Sequence, residues 1–258
     1  MKVLFVGDIV GRGGRRVLKE HLHSLQREHD VDFTIVNVEN AAGGFGVTPA
    51  IAEEVLGLGV DAMTSGNHIW DKREALDYLD LQPRLLRPAN YPPGLPGKPY
   101  FLGESPQGVP VAVVNLQGRV FMASTDCPFR AADQILRDLR NRARVVIVDF
   151  HAEATSEKMA FGWHLDGRVS AVLGTHTHVP TADARLLNEG TAYITDVGMT
   201  GSYESVIGMQ VRASLARFLT GIGSRFEPAS ESPRLCGVLL DVDEHTGRAA
   251  SIRRCDRP

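Results

Sequence analysis

MKVLFVGDIVG, residues 1–11, decides how the fold is read. Val3 to Val6 form an unbroken apolar run that stops at Gly7-Asp8, and a polar helical stretch from about Arg15 to His29 follows. The run is too short for a signal-peptide core or a membrane span, so it reads as the first strand of a β-α-β pattern. Its ending recurs downstream. Phe33 to Val38 closes on Glu39-Asn40, and Val60 to Thr64 on Gly66-Asn67-His68. Val145 to Phe150 stops at His151, and Val169 to Leu173 at Gly174-Thr175-His176-Thr177-His178. In α/β sheets, sites form outside the carboxyl ends of strands, so these distant residues are expected to converge.

The remaining segments fit the same class. Thr48 reads as the N-cap of a helix from Pro49 to Leu58, another helix starts near Lys72, and a third spans about Phe129 to Asn141. The proline-rich stretch Pro83 to Pro99 reads as a long surface connection. Val109 to Leu116, Ala192 to Thr195 (stopping at Asp196) and Val238 to Val242 are further strands, the last of these closing the fold. There is no internal repeat, and strands flank the only candidate linker, so residues 1–258 are read as one domain.

The chain's 258 residues, 43% of them hydrophobic, suffice for a sizeable core. With 28 basic and 31 acidic residues, the net charge of -3 offers no general field for long nucleic acid or a membrane surface. Arg12, Arg15 and Arg16 are the obvious basic cluster, and a solvated helix face accounts for them. Cys127, Cys236 and Cys255 are odd in number and include no C-x-x-C pair, which excludes a thiolate zinc site and points to a reducing, cytoplasmic compartment.

Singly, the strand-end residues have plain explanations: Asp8 and Glu39-Asn40 as turn or cap residues, His151 as a structural histidine. The pair His176 and His178, at i and i+2, places both imidazoles on one side of an extended segment. His21, His23, His29 and His245 lie in solvent-facing contexts, and packing accounts for His164. Together, the Asp, Glu, Asn and His donors, with no cysteine, suit Mn, Fe, Zn or Co. Their number exceeds one closed zinc site and matches two metals sharing a carboxylate, a hydrolytic arrangement. Gly7, Gly11, Gly13 and Gly14 fail the G-x-G-x-x-G register, and neither a phosphate-binding P-loop nor a G-x-S-x-G elbow is present.

The blocks G-D-I-V-G (7–11), N-V-E-N (37–40), G-N-H (66–68), D-F-H-A-E (149–153) and G-T-H-T-H (174–178) occur in the order of the calcineurin-like metallophosphoesterases. More closely, H-A-E-A-T-S-E-K from His151 and T-H-T-H-V-P-T-A-D from Thr175 resemble the YmdB-like branch, bacterial phosphodiesterases linked to 2',3'-cyclic nucleotides. Two positions depart from the broad superfamily: Val10 stands where a metal-binding histidine is usual, and Val38-Glu39-Asn40 replaces G-D-x-x-D. In the YmdB-like branch a glutamate bridges the metals and the adjacent asparagine replaces the missing histidine.

The resemblance implies a four-layer α/β/β/α sandwich with two mixed sheets. It implies one metal held by Asp8, Glu39, Asn40 and His178, and a second by Glu39, Asn67, His151 and His176, with iron or manganese expected. Such a pair, roughly 3.5–4 Å apart, would lower the pKa of a bridging water for in-line attack on a small phosphodiester or nucleotide. His68 would protonate the departing oxygen as general acid, or else only orient Asn67. Two other functions keep the same donors: a phosphomonoesterase or broad esterase, and a regulatory nucleotide-binding protein with little turnover. Gly43, Gly44, Gly46 and the segment Arg119 to Phe129 are candidate pocket edges, and Glu153, Thr155 and Asp196 candidate supports. A homo-oligomer is left open.

Overall fold

The computed structural model describes residues 1–223 and 226–258. The chain opens with β1 (Lys2–Val6), α1 (Gly11–Glu28), β2 (Phe33–Asn37), α2 (Pro49–Leu56), β3 (Ala62–Thr64) and α3 (Arg73–Leu81). It continues through β4 (Tyr100–Glu104), β5 (Pro110–Gln117), α4 (Pro128–Leu139), β6 (Val145–His151), α5 (Thr155–Leu165) and β7 (Ala171–Thr175). Next come β8 (Arg185–Leu186), β9 (Ala192–Ile194), β10 (Gly201–Ser202), α6 (Val211–Thr220), β11 (Pro233–Arg234), β12 (Gly237–Val242) and β13 (Ala249–Arg254).

Two mixed sheets carry the fold, in the orders β13-β12-β1-β2-β3 and β4-β5-β6-β7-β9-β8. In the first, β1, β2 and β3 are parallel and β12 and β13 antiparallel; in the second, β5, β6, β7 and β9 are parallel. Three apolar clusters separate the layers. Val17, Leu18, Leu22 and Leu25 of α1 pack with Leu4 and Val6 on the outside of the first sheet. Phe5, Phe33 and Ile35 meet Val111, Val113 and Ile147 between the sheets. Ile135 and Leu139 of α4 and Phe161 of α5 cover Val146 and Val148 on the far side. The order is α/β/β/α, and strands buried on both faces explain the unbroken apolar runs in the sequence.

Several boundaries differ from the sequence reading for physical reasons. Helix α1 starts at Gly11, ahead of the expected Arg15; a Cβ on Gly14 would stand 2.1 Å from the Thr200 carbonyl oxygen, so only glycine lets this first turn close on its neighbour. Pro83 to Pro99 is not a surface connection throughout: Leu85 and Leu86 are fully buried and bridge to Met63 and Lys98. The last strand is β13, not β12; as an edge strand with most of its side chains only partly buried or exposed, AASIRR lacks an apolar signature. Strand β4 and helices α5 and α6 also lay outside the sequence reading. Thr48 caps α2 as expected, its Oγ1 accepting from Ile51 N at 3.3 Å.

Candidate active site

Because β1, β2 and β3 run parallel in one sheet and β6 and β7 in the other, their carboxyl ends gather on one rim. Asp8 follows β1, Glu39 and Asn40 follow β2, Asn67 and His68 follow β3, His151 ends β6, and His176 and His178 follow β7. Polar side chains lock the sheets together just beneath. Asn37 Nδ2 donates to Asp149 Oδ2 (2.8 Å), and Asn115 pairs with the Ser65 backbone in both directions at 3.0 Å. The approach is close enough that a Cβ on Gly66 would lie 2.2 Å from His151 Nε2, which explains the glycine before Asn67-His68.

Hydrogen-bond partners fix the histidine tautomers. The Thr175 hydroxyl donates to Asp149 Oδ1 (2.7 Å), so it accepts from His151 Nδ1 (2.9 Å) and leaves His151 Nε2 with a free lone pair. His178 Nδ1 donates to the Ile207 carbonyl (2.9 Å), and His176 Nε2 lies 3.1 Å from the Glu153 carboxylate, leaving His178 Nε2 and His176 Nδ1 unprotonated. Burial holds His151 well below the ordinary imidazole range and His176 down at about 2, so both rings are neutral; His178 is lowered for the same reason. These lone pairs face other acceptors. His151 Nε2 stands 3.1 Å from His176 Nδ1 and 3.4 Å from Glu39 Oε1. His178 Nε2 stands 3.2 Å from Asn40 Oδ1, whose amide nitrogen is turned away to the Gly44 carbonyl (3.0 Å), and 4.0 Å from Asp8 Oδ1.

Acceptor facing acceptor in a buried site is repulsive unless a cation intervenes. Asp8 Oδ1, Glu39 Oε2 and Asn67 Oδ1 are also buried without a hydrogen-bond partner. Burial raises both carboxyls, Glu39 to about 7 and Asp8 well above its usual range, the latter also through the charges of Asp196 and Glu39. Among the described residues no three His, Cys, Asp or Glu side chains close into a finished ligand cluster. The donor chemistry and the orphaned oxygens nonetheless fit hard or borderline cations.

The turn carrying two of these histidines is not extended. His176 and His178 have φ values of +97° and +65°, a left-handed backbone that non-glycine residues rarely adopt, so the expected shared side of a strand does not exist. They turn to different partners, His176 to His151 and His178 to Asn40. Asp196 holds the turn, accepting from Thr177 N (3.0 Å) and Thr177 Oγ1 (2.8 Å), while buried Lys158 donates to Asp196 Oδ2 and to the Thr175 carbonyl, each at 2.7 Å.

A cavity of about 400 Å³ opens on the donors. Glu39, Asn40, His68, His176 and His178 line it together with Phe45, Ile207, Met209, Arg217, Phe218 and Phe226. His68 Nδ1 lies 2.8 Å from Asp71 Oδ2, which leaves Nε2 as the atom free to exchange a proton, and its ring meets the Phe45 edge at 5.0 Å. From the Gly-rich loop it is Phe45 that reaches the cavity. Arg119 and Phe121 do not line it: buried Glu157 accepts from Arg119 N and Val120 N at 3.0 and 3.1 Å, drawing that loop onto α5 and leaving Phe121 88% exposed.

The sequence reading passed over Asp149, Thr175 and Lys158, which orient the histidines, and the α6 wall. A carboxylate inside VVIVDFH and a lysine within α5 were the available signals; the wall residues look like ordinary core.

A family model described as YmdB-like protein matches residues 4–255. The chain is 48% identical over 254 residues to a 2',3'-cyclic-nucleotide 2'-phosphodiesterase of Bacillus subtilis (strain 168), covering 98% of this chain and 96% of that protein. Among solved structures, a hypothetical protein from Thermus thermophilus superposes with a TM-score of 0.93 at 44% identity, covering 100% and 99% of the two chains. A phosphatase from Mycoplasma pneumoniae superposes with a TM-score of 0.94 at 34% identity, covering 100% and 93%.

Proposed function

The chain belongs to the YmdB-like family, and from that premise we propose that it is a metal-dependent phosphodiesterase whose substrates are small phosphodiesters, 2',3'-cyclic nucleotides foremost. The observation that supports this reading is the set of neutral imidazole lone pairs directed at carboxylate and amide oxygens on the cavity wall. Asp8, Asn40 and His178 would hold one ion, Asn67, His151 and His176 a second, and Glu39 both. Iron or manganese suits this mixed oxygen and nitrogen set. When bound, such ions neutralise phosphate charge and activate water.

The chain's own residues supply the rest. Asp149 and Thr175 keep the His151 Nδ1 proton in place, so that Nε2 stays a donor. His68, backed by Asp71, stands on the same cavity wall as Glu39 and releases a proton from Nε2 to the departing ribose oxygen. Its backbone N–H donates to Glu39 Oε1 (2.7 Å), which ties the acid to the carboxylate that would serve both ions. Among the described residues no helix is long and apolar enough to cross a membrane.

The test is metal content of protein purified without chelator, with hydrolysis of 2',3'-cyclic AMP, bis-p-nitrophenyl phosphate and a phosphomonoester, for wild type and Glu39→Ala. About two metals per chain, with diester turnover lost in the variant, is the expected result. Metal without diester turnover, or a preference for the monoester, overturns the proposal.

A further inference from the structure

The cavity's lining divides chemically between polar donors and a group of apolar and aromatic side chains. Its apolar and aromatic lining comes from the turn Val206 to Met209, from α6 and from Phe226. Val206 and Met209 exchange both backbone hydrogen bonds (2.9 and 3.0 Å) around Ile207 and Gly208, whose φ values are +46° and +96°. This turn geometry favours Asn-Gly, and a β-branched residue in its first left-handed position is a strained choice. That strained residue both lines the cavity and, through its carbonyl, fixes the His178 tautomer. The apolar wall and the donor wall are therefore one connected unit.

Helix α6 buries little of itself. Its one buried residue is Ser214, while Phe218 lines the cavity and is still 81% exposed. Beside it, the Arg217 guanidinium lies over the Phe226 ring, 5.3 Å from its centroid, so a cation and an aromatic ring adjoin in the cavity lining. Aromatic rings and a guanidinium in the cavity lining suit a planar heterocycle, which stacks on such groups whatever its hydrogen-bonding edge. At about 400 Å³ the cavity has room for more than a phosphate, since ligand pockets run from about 300 to 1,000 Å³.

We infer that Phe218, Phe226 and Arg217 form the base-binding platform of this site, so that α6 makes the enzyme selective for diesters that carry a nucleobase. The inference rests on the phosphodiesterase reading: with the phosphate at the donors, the apolar and aromatic lining of the same cavity is left for the rest of the substrate.

The experiment compares 2',3'-cyclic AMP with glycerol 1,2-cyclic phosphate, a five-membered cyclic diester without a base, for wild type, Phe218→Ala, Phe226→Ala and Phe218→Tyr. Each alanine variant is expected to lower the ratio of the two kcat/KM values about tenfold, as loss of one stacking partner does, chiefly through KM for the nucleotide. Phe218→Tyr is expected to keep the wild-type ratio. Equal losses on both diesters, or an unchanged ratio, overturn the platform. If wild type hydrolyses neither diester, the phosphodiesterase reading fails by itself. The platform is then judged by calorimetry of the manganese-loaded protein: 3'-AMP must bind more tightly than inorganic phosphate to wild type, and lose that advantage in Phe218→Ala. No such advantage in wild type refutes it.

Discussion

Lys158→Met removes the cation that touches Asp196, at a place where neither group meets solvent. Lys158 is 1% exposed and Asp196 0%, and the ammonium bonds both the carboxylate and the Thr175 carbonyl. Methionine matches the apolar stem's length but has no donor, so the substitution removes the charge together with the ammonium's two hydrogen bonds. Breaking a buried pair from one side costs about 3–5 kcal/mol, because the remaining charge is uncompensated. Asp196 keeps its bonds from Thr177 N, Thr177 Oγ1 and Gly198 N, which places the loss near the lower limit, about 3 kcal/mol. For a chain of this size that lowers the melting temperature by about 6–12 °C.

Metal affinity follows the turn that the pair supports. Thr177 anchors a backbone with two left-handed histidines, each costing about 1–3 kcal/mol, and a looser Asp196 lets His176 and His178 relax. Manganese titration of the folded variant at a temperature below its transition is expected to show at least tenfold weaker binding, in the range seen when groups that orient ligands are removed. A variant that melts within about 2 °C of wild type, below the shift expected for 1 kcal/mol, would refute the charge argument.

Gly66→Ala places a methyl 2.1–2.2 Å from the buried His151 ring, and is expected to cost about 1–3 kcal/mol and to weaken metal binding together; a wild-type melting curve would contradict the close approach. His68→Ala should lower turnover of 2',3'-cyclic AMP about 10²–10⁴-fold with metal content unchanged, while bis-p-nitrophenyl phosphate, whose leaving group departs without a proton, is affected far less. Equal losses on both substrates would remove the acid role. Metal uptake needs an ionised Glu39, whose carboxyl sits at about 7 in the metal-free protein, and histidines that are already neutral. Through Glu39, manganese binding is therefore expected to release nearly one proton per chain at about pH 6 and much less at about pH 8.5, tightening as pH rises through about 7. Calorimetry in two buffers of different ionisation enthalpy reads this directly, and no release at the lower pH would refute it.

The donors were legible because topology exposes them. A polar residue that ends an apolar strand run has few reasons to be Asp, Glu, Asn or His in succession, and parallel strands put those endings on one rim. The backbone that presents them was not legible. G-T-H-T-H reads as extended until Asp196 and Lys158, distant in sequence on either side, bend it into left-handed conformation. Nor was the other half of the cavity: Phe218 and Phe226 carry no atom that chemistry singles out, and in a sequence an aromatic on a helix is indistinguishable from core. Phe121, exposed on its loop, had the same claim as Phe218. Reaction chemistry demands particular donor atoms and so leaves a pattern, whereas selectivity demands only shape and apolar area, which every folded chain contains for other reasons. Fold and reaction class are thus the parts of this protein that its sequence can announce, and selectivity is the part that must be read from the cavity.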